Sequence, residues 1–146
     1  MDRRDFMRSC GYACLNGIAI ATILQSCATT KIVPGTIDQS ELVIDLAEFE
    51  ITQKKEQGFR KYIIVRNDAL QFPLCIYRFS EKEFTALYLK CTHQGAELQV
   101  FGDKIQCPAH GSEFSNRGVV EGGPATEKLR DFPVRIDTKQ LKISLV

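Results

Sequence analysis

Histidine is nearly missing from this 146-residue chain: His93 and His110 are the only two. There is no acid–base pair built around histidine, no glycine-rich nucleotide motif and no nucleophile elbow, so the common routes to self-sufficient catalysis have no residues to run on. An excess of charge of one sign is missing as well. Charged residues are 25% of the chain, but the formal net charge is only +1, which gives no footprint for nucleic acid and no broad basic patch for a membrane. Long hydrophobic runs are absent: the most apolar stretch, "GYACLNGIAIATILQS" at 11–26, is short for a spanning helix and is interrupted by Asn16, Thr22 and Gln25. There is no internal repeat and no low-complexity segment. The length suits one domain with a real core and is too short for two.

The N-terminal residues are set apart from the fold by their chemistry. "MDRRDFMRSC" carries Arg3 and Arg4 before Phe6, Met7 and Arg8, and resembles a twin-arginine export signal. The apolar run that follows ends in Leu24-Gln25-Ser26-Cys27, which resembles a lipobox. The resemblance implies a signal over 1–26, lipid attachment at Cys27, a linker over 27–40, and a protein exported and anchored on the outer side of the cytoplasmic membrane, facing the periplasm or exterior. An uncleaved N-terminal anchor and a buried amphipathic helix are the other readings. Beyond this segment the charges balance. Of the six cysteines, Cys75, Cys91 and Cys107 fall past Cys27, and they imply no disulfide framework.

From residue 41 onward, runs of apolar and β-branched residues broken by turn signals predict an all-β domain over 41–146. Expected strands are 41–46, 49–53, 61–67, 74–80 and 84–91, with "KKEQGF" as a turn between the second and third. A hairpin is expected around Gly102-Asp103 and a final one around Asp137 to Gln140. "VVEGGPATEKL", 119–129, is expected to be a Gly-Gly-Pro loop, and no helix longer than a turn or two is expected. Cys75 reads as a buried strand residue.

Both histidines sit beside cysteines. Cys91-x-His93 is followed after thirteen residues by Cys107-x-x-His110. Four such ligands suit a tetrahedral zinc site, as in a zinc-stabilised binding module. They also suit a binuclear cluster, because two arms that each bring one cysteine and one histidine can give both thiolates to one iron and both imidazoles to the other.

"CTHQG" and "CPAHGSEF", with "GGPA" downstream, resemble the two cluster-binding boxes and the proline loop of the Rieske [2Fe–2S] family. The resemblance covers about 35 residues, roughly 88–125 with its flanks, and implies stacked antiparallel sheets with a small cluster-binding subdomain made by two loops. It implies one [2Fe–2S] cluster, with Cys91 and Cys107 on the inner iron and His93 and His110 on the outer. Ser112 matches a position whose hydroxyl donates to a bridging sulfide; a turn serine satisfying backbone is the alternative. Phe114 stands where high-potential members carry a hydrogen-bonding tyrosine, and packing beneath the cluster is the other role open to it. Ala96 and Ala109 replace the cysteines of the usual disulfide between the loops, so packing, the loop around Pro124 and the cluster must hold them. Lys104, Glu113 and Arg117 are expected near the tip, on a solvated face.

Two thiolates leave an oxidised cluster neutral, whereas four would make it about −2, so mixed ligation eases reduction. It moves the potential to about −150 to +300 mV from about −400 mV. With one donor kept and one missing, an intermediate potential is expected. Two histidines also exclude the oxygenase use of the motif, which needs further histidine for a mononuclear iron. The implied function is one-electron transfer. The implied partner is a redox protein, such as a cytochrome or a quinol oxidoreductase, and the alternative is a subunit of a quinol-oxidising or other oxidoreductase complex.

Overall fold

The computed structural model describes residues 30–53 and 56–146, with the side chains of 52–57 excepted. The signal-like segment, with Arg3, Arg4 and Arg8, and Cys27 lie outside the described residues. Among those residues no helix is long and apolar enough to cross a membrane.

The strands in chain order are β1 (Ile32–Pro34), β2 (Thr36–Asp38), β3 (Glu41–Asp45), β4 (Glu50–Gln53), β5 (Glu56–Phe59), β6 (Tyr62–Arg66), β7 (Leu74–Arg78) and β8 (Phe84–Tyr88). They continue as β9 (Gln99–Phe101), β10 (Lys104–Gln106), β11 (Glu113–Ser115), β12 (Val120–Gly122), β13 (Asp131–Phe132), β14 (Val134–Asp137) and β15 (Gln140–Ser144). A single 3-10 turn, Leu46–Phe49, is the one helical element among the described residues.

A central sheet, β1-β6-β7-β8-β13, has a four-stranded sheet on each side: β14-β15-β3-β2 and β12-β11-β10-β9. The chain alternation shows why. Along β7, Leu74 and Ile76 enter one core with Leu42, Ile44, Leu141 and Ile143. Cys75 and Tyr77 enter a second core with Ile105, Phe114, Cys91 and Cys107. Successive side chains of a strand point to opposite faces, and both faces here are covered, so Leu74–Tyr77 is apolar without a break. Each aliphatic side chain so buried contributes about 1.5–3 kcal/mol. The second core is the floor of the site.

Three expectations are corrected. The stretch read as a linker contains β1 and β2. β1 pairs in parallel with β6, Ile32 opposite Ile64, and β2 pairs with β3. Gly35 is the corner where the chain passes from one sheet to the next: a Cβ there would meet Leu42 Cδ1 at 2.5 Å and Val65 Cγ1 at 2.6 Å. Glu56–Phe59 of the expected turn is strand β5, paired with β4. Val120–Gly122, expected in a loop, pairs with β11 across an irregular register. The two predicted hairpins form, with Phe101 opposite Lys104 and Asp137 opposite Gln140.

Candidate metal centre

One end of the β9–β10 hairpin is the Gly102-Asp103 turn. At the other end its strands run out into two loops, Cys91–Leu98 before β9 and Cys107–Ser112 after β10. Gln99 lies opposite Gln106, which sets the loops side by side.

The two loops close in the same way. Cys91 N–H donates to the Ala96 carbonyl and Cys107 N–H to the Ser112 carbonyl, both at 2.8 Å. Four residues after each cysteine a glycine N–H returns to the cysteine carbonyl, Gly95 at 2.8 Å and Gly111 at 3.0 Å. Both glycines have positive φ, 76° and 77°, a region that costs other residues about 1–2 kcal/mol. At Gly111 an added Cβ would meet nothing within 4 Å, so it is the backbone angle that demands glycine there.

The closed loops put cysteine at the base and histidine at the crest. Cys91 and Cys107 are each 3% exposed and carry free thiols. Burial works to raise the Cys107 thiol, but the backbone N–H groups of His110 and Ala109 and the Cys91 thiol outweigh it and hold it below the ordinary thiol range. His93 and His110 are exposed, with ring centroids 5.0 Å apart and planes at 88°. The four sequence-selected residues therefore stand on two adjacent loops as a buried cysteine pair and an exposed histidine pair. Among the described residues no three His, Cys, Asp or Glu side chains converge on one point. A donor set of two cysteines and two histidines, one of each per loop, suits a binuclear cluster in which one iron takes the thiolates and the other the imidazoles.

The segment after Pro124 ties both loops down. Ser112 is fully buried, and its Oγ accepts the Ala125 N–H at 3.0 Å. Thr92 Oγ1 donates to the Glu127 carbonyl at 2.7 Å. These two bonds link the loops through a third segment where Ala96, half-buried, and Ala109, exposed, offer no disulfide. Gly123–Pro124 is a cis peptide. Arg66 of β6 also pairs with Glu97 on the first loop.

Phe114 is fully buried in the second core, the packing role weighed above. Cys75 is fully buried in β7, and burial pushes its thiol far up, with Tyr77 opposing only in part. The charges expected near the tip are corrected. Lys104 pairs in register with Ser115, which puts it and Arg117 at the turn end, away from the cysteine and histidine loops; Glu113 alone is near them. All three are in exposed ion pairs, Lys104 with Glu113 and Glu121 and Arg117 with Glu83.

Thr92, Gly95, Gly111, Ala125 and Glu127 were not selected from the sequence. The glycines carried a readable signal, the shared spacing Cys91-x-x-x-Gly95 and Cys107-x-x-x-Gly111. The other three act through tertiary hydrogen bonds or main-chain atoms, which no motif shows.

The chain is 30% identical over 89 residues to the cytochrome b6-f complex iron-sulfur subunit 2 of Nostoc sp. strain PCC 7120, covering 60% of this chain but only 44% of that protein. It is 25% identical over 133 residues to the cytochrome b6-f complex iron-sulfur subunit of Nostoc punctiforme, covering 86% of this chain and 74% of that one. The crystal structure of the cyanobacterial plasma membrane Rieske protein PetC3 from Synechocystis PCC 6803 shares the fold, with a TM-score of 0.50, 22% identity, and coverage of 57% of this chain and 86% of that one. The family profile described as the Rieske [2Fe–2S] domain matches residues 49–133, more than half of the chain. The protein therefore belongs to the Rieske [2Fe–2S] family, and that membership implies one [2Fe–2S] cluster and supports Rieske-type electron transfer.

Proposed function

We propose that Cys91 and Cys107 hold the buried iron of the cluster and His93 and His110 the exposed one, in a one-electron carrier tethered through Cys27 outside the cytoplasmic membrane. The observation that carries this is the pair of identically closed loops, with their cysteines buried and their histidines exposed and in contact. When bound, the cluster takes up and releases one electron. The chain's residues do the rest. The second core keeps water from the thiols, and the N–H groups of Ala109 and His110 favour the thiolate at Cys107. The Ser112 hydroxyl, having accepted the Ala125 N–H, still has its own proton to give to a cluster sulfur. The exposed imidazoles form the edge at which a partner exchanges electrons.

Purified chain is expected to be red-brown, with two irons and two labile sulfides and a Rieske electron spin resonance signal. A colourless protein with one zinc would end this reading. The location is supported by the twin-arginine and lipobox resemblances and by the plasma-membrane origin of the PetC3 neighbour. A mass spectrum of the N-terminal peptide tests the lipid tether: an acylated Cys27 is expected, and an unmodified Cys27 in an uncleaved chain overturns the tether.

The relatives, iron-sulfur subunits of cytochrome b6-f complexes, favour a second reading, a redox subunit of a quinol-oxidising membrane complex. Ala96 and Ala109 weigh against that reading. Purification from membranes separates the two: a carrier comes away alone, and a subunit brings its complex.

A further inference from the structure

Thr30 begins the described fold beside the turn end of the β9–β10 hairpin. Thr30 Oγ1 and the Tyr62 hydroxyl are hydrogen-bonded at 3.0 Å. The Tyr62 ring packs on Tyr77 with centroids 5.4 Å apart, and the Tyr77 hydroxyl donates to the Gly102 carbonyl at 2.9 Å. Thr30 also lines a groove of about 640 Å³ with Ile51, Phe59, Val100 and Phe101, where Arg60 and Lys61 are the cationic members. Phe59 and Phe101 are 56% and 57% exposed. Single exposed apolar side chains need no explanation, but two phenyl rings on one apolar groove mark a contact surface.

The chain itself says what the contact is. Two residues, Ala28 and Thr29, separate Thr30 from Cys27, so the backbone between them extends to at most about 11 Å. We propose that this groove face is a bilayer contact, with Phe59 and Phe101 seated in the headgroup boundary; this rests on the lipid anchoring at Cys27 proposed above. Phenylalanine on an apolar surface face seats at that boundary, and cationic groups favour anionic headgroups. Lys61 reaches Asp103 at 3.2 Å and the Arg78 guanidinium lies 3.7 Å over the Phe59 ring, so the rim is mixed in charge and the apolar rings, Phe101 foremost, carry the contact. The tether makes this contact intramolecular, so two rings suffice where an untethered protein would bind weakly.

The orientation follows from the hairpin. Its turn end faces the lipid, and the cysteine and histidine loops lie at the other end, about 10 Å further along the strands. His93 and His110 are thereby presented to a partner arriving from the aqueous side, and not to a site within the membrane.

The chain contains no tryptophan, so each single substitution supplies a unique probe. Full-length Phe101→Trp, Phe59→Trp and Glu127→Trp proteins, purified from membranes, are reconstituted into phosphatidylethanolamine–phosphatidylglycerol vesicles with and without brominated acyl chains. Glu127 adjoins Thr92 on the histidine side. The expected result is sedimentation with the vesicles and bromolipid quenching severalfold stronger at positions 101 and 59 than at 127. Chain that sediments but shows equal or reversed quenching overturns the docking alone. A self-associated chain with unquenched tryptophan at 101 and 59 does so too and assigns the groove to a second copy. Chain that stays in the supernatant overturns the anchoring and the docking with it.

Discussion

Replacing Ser112 by alanine removes one oxygen with two roles, and the two can be measured apart. The first role is structural. Ser112 is fully buried and Ala125 is 4% exposed, so no water takes over when the acceptor of the 3.0 Å bond from the Ala125 N–H is lost. A buried donor left unpaired costs about 1–3 kcal/mol. At roughly 4 °C per kcal/mol for a domain of this size, Tm falls by about 4–12 °C. The second role belongs to the hydroxyl proton, which has no acceptor among the described residues and in our proposal reaches a cluster sulfur. A hydrogen bond to a charged acceptor is roughly twice as strong as a neutral one. The bond therefore favours the reduced state by about 1–2 kcal/mol, which for one electron is about 40–85 mV. Thermal melting and redox titration of the same Ser112→Ala sample are expected to show a lower Tm and a lower midpoint. A lower Tm with an unmoved midpoint would confine the serine to its backbone bond and refute the sulfur bond. An unmoved Tm would refute the tie to the proline loop.

Phe114→Tyr restores a donor beneath the loops and is expected to raise the midpoint in a redox titration; an unchanged midpoint would mean that the phenol does not reach a sulfur. Cys75→Ala leaves iron content and the spin resonance signal intact while costing about 1 kcal/mol, the value of one small buried apolar group, and loss of iron would make Cys75 a ligand. Gly35→Ala forces a methyl against Leu42 and Val65 and lowers stability by about 1–3 kcal/mol in denaturant titration; no loss would mean that the sheet corner relaxes freely. Hydrogen bonds from Arg135 and Lys142 hold Glu41 and Asp137 below the ordinary carboxylate range. Since the folded pKa values are the lower ones, their stabilisation is complete above about pH 4–5 and is lost as pH falls through the folded values. Arg135→Ala is expected to flatten the loss of Tm between about pH 5 and pH 2, and an unchanged slope would place the acid sensitivity elsewhere.

The cysteine–histidine site was legible because its ligand types are rare in the chain and adjacent in sequence, and because Gly102-Asp103 marks the hairpin that joins the two boxes. The long strands β3, β6, β7 and β8 were legible from their alternation or unbroken apolar runs. β1 and β2 were not. Each is three residues long, and β1 is fixed by a parallel pairing with β6 some thirty residues away, which leaves no local periodic mark. β12 was hidden because Val120–Gly122 leads straight into Gly-Pro, whose turn character dominates the segment, although β11 supplies it with a partner. The replacement for the missing disulfide was out of reach for the same kind of reason. Ser112 and Thr92 bond to main-chain atoms of Ala125 and Glu127, and main-chain atoms have no sequence signature.

The central claim is that both histidines of the chain are cluster ligands, and the count of two makes it directly measurable. Protein grown with ¹⁵N-histidine labels only His93 and His110. In the reduced protein, electron–nuclear double resonance is expected to show strong ¹⁵N couplings from two directly bound nitrogens, with one remaining in each single-histidine variant that still holds iron. A reduced cluster with no strong ¹⁵N coupling, or with one in the unsubstituted protein, would contradict it.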